Sequence, residues 1–170
     1  VKYLHEQGCP WDKRTSDAAY LRYQSEGDGF ENFEYLIIHG CPWDGDVMTA
    51  AANVGSVKLL KYAHEKLNSD ITEDPLKRIL CRGSVECLKY LQELSYPWEE
   101  ENCLYAAWYG HVDCLKYLHE HGCPWHEMFI EKVTERIQSL LSSHSGLSGI
   151  KECLMYAISN GCPLPVDESE

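Results

Sequence analysis

The residues in this 170-residue chain whose types could hold a metal or run thiol chemistry are nine cysteines and eight histidines. Cys9, Cys41, Cys123 and Cys162 share a Gly-Cys-Pro setting, and Cys87, Cys114 and Cys153 share an acidic-Cys-Leu setting. Zinc sites gather ligands at short spacings such as Cys-x-x-Cys, which occurs nowhere here. His5-Glu6, His64-Glu65 and His119-Glu120 invite comparison with the zinc-protease helix. That motif needs a second histidine four residues after the first, where this chain has Cys9, Asn68 and Cys123. These pairs therefore read as a solvated face near a helix end, where cations are favoured. Acidic residues are plentiful, but no pair recurs in a pattern suited to acid and base work. Glu99-Glu100-Glu101 reads as favourable charge at a helix start. A Gly-rich phosphate loop and a Gly-x-Ser-x-Gly elbow are both missing from the sequence. The chain is thus expected to be no enzyme, with no cofactor and no metal.

The elements that would position these residues come from an internal repeat. Lys2-Tyr-Leu-His-Glu-Gln-Gly-Cys-Pro-Trp-Asp12 recurs as Glu34 to Asp44 and Lys116 to His126, with weaker copies at Lys61 to Ile71, Lys89 to Glu99 and Met155 to Pro165. The shared tyrosines Tyr3, Tyr35, Tyr62, Tyr90, Tyr117 and Tyr156 are 32, 27, 28, 27 and 39 residues apart. Apolar residues around each tyrosine keep a three-to-four spacing, as in Val112, Leu115 and Leu118, which predicts a helix. Gly8, Gly40, Gly122 and Gly161 end that helix, and Pro10, Pro42, Pro124 and Pro163 forbid continuation. Asp12 and Asp44 are placed to cap the next helix, and Trp43, Trp98 and Trp125 to pack on its first turn against Met48, Cys103 and Ile130. A first helix in each unit carries Ala18-Ala19, Ala51-Ala52 or Ala106-Ala107, small enough for close helix approach, before turns at Gly55, Gly83 and Gly110.

Two insertions and one exception modify this pattern. Gln24 to Gly29 reads as a surface loop. Glu127 to Leu141 keeps helical spacing and predicts an elongated first helix, ending before a loop from Ser142 to Gly149. Between Leu67 and Asp74 the Gly-Cys-Pro-Trp loop is lost, and Asp74-Pro75 serves as cap and first-turn residue. Equivalent cysteines in stacked units would lie about 10 Å apart, beyond the roughly 7 Å that a disulfide spans between Cα atoms, so reduced, buried thiols are expected.

Ala106-Ala-Trp-Tyr-Gly-His-Val-Asp-Cys-Leu-Lys-Tyr-Leu-His-Glu-His-Gly122 resembles the ankyrin repeat, with Ala50 to Glu65 a second match and Gly83 to Glu93 a partial one. The resemblance covers nearly the whole chain. It lacks the Thr-Pro-Leu-His signature, and Cys-Pro-Trp-Asp loops replace the longer β-hairpin finger. The resemblance implies an all-α fold: an ankyrin-like solenoid of stacked helix-turn-helix repeats with shortened hairpin loops. One domain over 1–170 is expected, with units of about 1–11, 12–43, 44–70, 71–98, 99–125 and 126–165. Val1 and Leu4 read as the cut end of a longer array. By position in that family, the residues that meet a partner on the concave face are Tyr20-Leu21, Asn53-Val54, Cys81-Arg82 and Trp108-Tyr109. Trp108, Tyr109 and Arg82 belong to the residue types that most often anchor interfaces.

Composition sets the remaining expectations. Fifteen basic against 27 acidic residues give a net charge of −12, which disfavours a nucleic-acid groove or an acidic membrane surface and favours a partner protein with a basic patch. The longest apolar run, Cys103 to Tyr109, is far shorter than the roughly 20 residues of a spanning helix. The expected protein is a monomeric, cytoplasmic, non-enzymatic scaffold that binds another protein. The alternative is a thiol-based metal or redox protein using its aligned cysteines.

Overall fold

A computed structural model describes residues 1–26, 29–69, 73–141 and 147–164, except the side chains of residues 26 and 73–75. Among the described residues the chain is all helix, with no strand. Its contacts fall into two compact units, Val1–Thr72 and Glu73–Glu170.

The first unit holds α1 (Lys2–Glu6), α2 (Lys13–Glu26), α3 (Phe30–Ile38), α4 (Val47–Val54) and α5 (Val57–Leu67). Helix α2 packs on α3, α4 on α5, and α3 on α5. Phe33, Leu36, Met48, Leu59 and Leu60 are buried on these faces. The apolar spacing read from the sequence therefore marks the buried sides of α3 and α5.

The second unit holds α6 (Glu73–Arg82), α7 (Val85–Glu93), α8 (Glu100–Trp108), α9 (Val112–Glu120), α10 (Phe129–Leu140) and α11 (Leu147–Ser159). The first helices of its hairpins form one row, with α6 on α8 and α8 on α10, while α7, α9 and α11 form the other. The alanine pair in the last turn of α8, Ala106-Ala107, is wholly buried, as close helix approach demands. Gly110 closes the α8–α9 turn at φ +76. A Cβ on Gly149 would stand 2.2 Å from the Gly110 carbonyl oxygen, so the two glycines let α11 lie directly on that turn.

Several boundaries differ from expectation. The α2 helix runs on through Glu26, so Gln24 and Ser25 are exposed helix rather than loop, and residues 27–28 lie outside the described residues. Asp12 accepts the Arg14 backbone N–H at 3.0 Å, as a cap should. Asp44 does not cap. The chain first crosses the Trp43 ring at Gly45, and Asp46 then takes the Met48 and Thr49 backbone N–H groups while Asp44 pairs with Lys13. Helix α6 already begins at Glu73, which places Asp74-Pro75 inside its first turn. The elongated first helix is α10, and α11 starts at Leu147, so Gly149 is helical; residues 142–146 lie outside the described residues. At the weaker copy ending in Trp98, Ser95 adopts φ +57 where the strong copies have glycine, so the turn survives the change of residue.

Two of the repeat tyrosines, Tyr35 and Tyr156, tie neighbouring copies together. His5 stacks on Trp11 with ring centres 3.7 Å apart, and its Nδ1 lies 3.0 Å from the Tyr35 hydroxyl of the next copy. His119 stacks on Trp125 at 4.5 Å, with Nδ1 3.1 Å from the Tyr156 hydroxyl. The histidines are thus half-buried ties rather than a solvated face, which explains why tyrosine, histidine and tryptophan recur together. The tryptophans also pack on aromatic neighbours, Trp43 on Phe33 and Tyr20, and Trp125 on Phe129. Tyr156→Phe removes one tie while keeping the ring. It should cost about 1 kcal/mol in urea unfolding, whereas an unchanged midpoint would show that the hydroxyl contributes nothing.

Candidate functional site

The row of first helices in the second unit carries a cleft of about 360 Å³ lined by Lys77, Glu101, Leu104, Tyr105, Trp108, Tyr109, His126 and Lys132. Helix α8 forms its floor. Leu104, Tyr105 and Trp108 follow three-to-four spacing and so share a side of that helix. The Asn102 side chain accepts the Glu99 backbone N–H at 2.8 Å and fixes the helix start. Lys77 comes from α6 and Lys132 from α10. The Lys77 Nζ lies 4.8 Å from the centre of the Tyr105 ring, and the Arg136 guanidinium, one turn beyond Lys132, lies 5.0 Å from that of Trp108.

Trp108 and Tyr109 both line this cleft, and Tyr109 is 41% exposed. A hydrogen bond between its hydroxyl and the Cys81 sulfur, then burial, push the Tyr109 phenol above its ordinary value. Arg82 is exposed but does not line this cleft. In the first unit Tyr20 packs between Phe33 and Trp43, while Leu21 is 62% exposed. Asn53 and Val54 are half-buried, and the Asn53 carbonyl accepts the Tyr23 hydroxyl. Sequence reasoning missed Lys77, Tyr105 and Lys132, and Arg136 beside the Trp108 ring. The signal available was the four-residue spacing of Lys132 and Arg136 on a helix already expected to be long.

Glu100, Glu101 and His126 offer ligand atoms within 4.8 Å of one another. Both ring nitrogens are already engaged, however. Nδ1 accepts the Met128 backbone N–H at 3.0 Å, and Nε2 lies 3.0 Å from the Lys132 Nζ. The arrangement leaves a cation two carboxylates beside an ammonium, which is a poor metal site.

The nine cysteines are free, and seven of them are buried. Burial pushes the thiols of Cys114 and Cys153 up to about 12 and that of Cys162 up to about 11, while hydrogen bonding to Cys123 and burial hold Cys103 protonated. Two loop cysteines tie successive loops, with Cys41 donating to the Asp12 carbonyl and Cys123 to that of Glu99. The raised thiols of Cys114, Cys153 and Cys162 are poor nucleophiles and poor metal ligands, whereas the hydrogen bond with Cys103 lowers the thiol of Cys123. Among the described residues no helix is long and apolar enough to cross a membrane. Compared with family models and with curated proteins, the chain finds no match.

Proposed function

We propose that this chain is a non-enzymatic scaffold for binding another protein, built as an ankyrin-like stack of short helix-turn-helix repeats. The observation that carries this reading is the cleft across α6, α8 and α10, where Trp108 and Tyr109 stand on a rigid helical floor at the position that meets partners in ankyrin repeats. In that reading the row of first helices is the concave side of the stack. Aromatic side chains held on a packed helix lose little freedom on contact, so they can anchor a partner efficiently. The same surface has hydrogen-bond donors and rings but no nucleophile activated by a neighbouring base. Free thiols persist in a reducing compartment, which supports a cytoplasmic setting.

Affinity capture from cytosol, using the chain and its Trp108→Ala/Tyr109→Ala variant side by side, tests the reading. The variant should lose most of the captured partner, corresponding to about 2 kcal/mol or more of binding. Equal recovery by both proteins would overturn it. Trp108 is half-buried, so the variant's helical circular dichroism should first be matched to that of the parent.

A further inference from the structure

Two of the nine free cysteines, Cys103 and Cys123, hydrogen-bond to each other. Cys103 lies one turn into α8, and Cys123 lies in the loop that leaves α9. The Cys123 sulfur also meets the Cys103 backbone N–H and donates to the Glu99 carbonyl at 3.1 Å, so the loop thiol is seated on the start of α8. The first hairpin shows that this seat belongs to the fold. There Cys41 donates to the Asp12 carbonyl at 3.3 Å, and Ser16, four residues after Asp12 as Cys103 is after Glu99, donates from Oγ to the carbonyl of Pro42 beside Cys41. Where the first hairpin has a serine, the α8 hairpin has a second thiol.

The distance that keeps equivalent cysteines of successive copies apart does not apply to this pair, because both thiols belong to one hairpin. Sulfurs already in hydrogen-bond contact need little backbone movement to bond. The two thiols also differ in character. The Cys103 thiol and amide N–H both donate to Cys123 and lower its thiol, which favours the reactive thiolate, while Cys103 is held protonated behind it. Cys123 is buried, but Gly122 and Pro124 on either side of it are exposed, whereas Cys103 is wholly enclosed. A small oxidant therefore meets Cys123 first, on local opening of the loop.

We propose that Cys103 and Cys123 are a site of reversible oxidation, at which hydrogen peroxide joins them in a disulfide that fastens the loop after α9 to α8. The Cys123 sulfur attacks one peroxide oxygen, so that an S–O bond forms, the O–O bond breaks, and the departing oxygen leaves as water with the thiol proton. The Cys103 sulfur then attacks the Cys123 sulfenic acid. An S–S bond forms, the S–O bond breaks, and the hydroxyl leaves as water with the Cys103 proton. Two thiols are oxidised by two electrons and one peroxide is reduced to two waters. A small-molecule thiol reverses the step by exchange, which suits a reducing compartment where disulfides are transient. The inference stands apart from the partner-binding reading above.

The test treats the full, folded chain with hydrogen peroxide, blocks the remaining thiols with iodoacetamide, and maps the unreduced digest by mass spectrometry. A peptide pair joined through Cys103 and Cys123 should appear, lighter than its separate members by two hydrogens and cleaved by dithiothreitol. The oxidised chain should unfold at higher urea than the reduced one, because the bond closes a loop in the unfolded state. Cys103→Ser should leave Cys123 as a sulfenic acid that dimedone labels, and Cys123→Ser should abolish the crosslink. Cys162→Ser should retain the crosslink, although Cys162 also acts electrostatically on Cys103. The parent chain alone can overturn the inference: oxidation of the exposed Cys9 without the crosslink, a bond joining Cys103 to Cys162 instead, or a lower urea midpoint after oxidation would each do so.

Discussion

The chain should lose stability steeply as the pH rises above about 9, because an unfolded thiol ionises near 8.5 whereas those of Cys114 and Cys153 hold their protons to about 12. Across that interval the unfolded state has released protons that the folded state still binds, so each further rise in pH favours unfolding. Each of these two groups contributes roughly 1 kcal/mol of lost stability per pH unit, and together they outweigh most single substitutions. The stability is fully present below about pH 8 and is lost progressively toward pH 12. The raised phenols of Tyr117 and Tyr156, which burial lifts first of all, add loss of the same sign above about pH 10. Urea unfolding at stepwise pH, followed by circular dichroism, measures the slope. Replacing Cys114 and Cys153 with alanine should flatten it even though the variant starts less stable. A slope unaltered by those replacements would contradict the account.

Phe129→Ala should cost about 3 to 5 kcal/mol, the largest loss expected from any single change considered. The ring is fully buried and packs edge-on against Trp125, which itself stacks on His119 and reaches Tyr156 at 6.5 Å. Removing it empties a core site and loosens the tie between two copies of the repeat. It also unseats the start of α10, the helix that brings Lys132 to the cleft. Phe129→Leu should recover more than half of the loss because it refills most of the volume. A loss under about 1 kcal/mol for Phe129→Ala would mean that the Trp125 cluster does not hold α10 in place.

Both predictions rest on features that differ in how openly the sequence shows them. Helix–turn punctuation was readable because glycine and proline act on the backbone locally. Gly55, Gly83 and Gly110 all take positive φ at the expected turns. Helix starts were less so. Asp44 and Asp46 are equally good capping residues, and the choice depends on how the chain passes Trp43. The reach of α2 to Glu26 was hidden because the polar residues that favour loops also cover exposed helix faces. Within the cleft, Trp108 and Tyr109 stood out because of the alanine pair before them. Lys77 and Lys132 did not, since they come from α6 and α10 flanking α8, a relation between separate copies rather than a motif within one. The histidine ties were misread for the same reason: each histidine's partner tyrosine belongs to the next copy, 30 or 37 residues away.

The central claim is that a protein partner docks on the α8 face of the second unit, and photocrosslinking tests it most directly. p-Benzoylphenylalanine would be placed at Tyr109, on the cleft, and separately at Met155, which is 68% exposed on α11 but outside the cleft lining. Irradiation in cytosol should give a discrete protein adduct from position 109 and none from position 155. Adducts of equal yield from both positions, or from 155 alone, would contradict the claim.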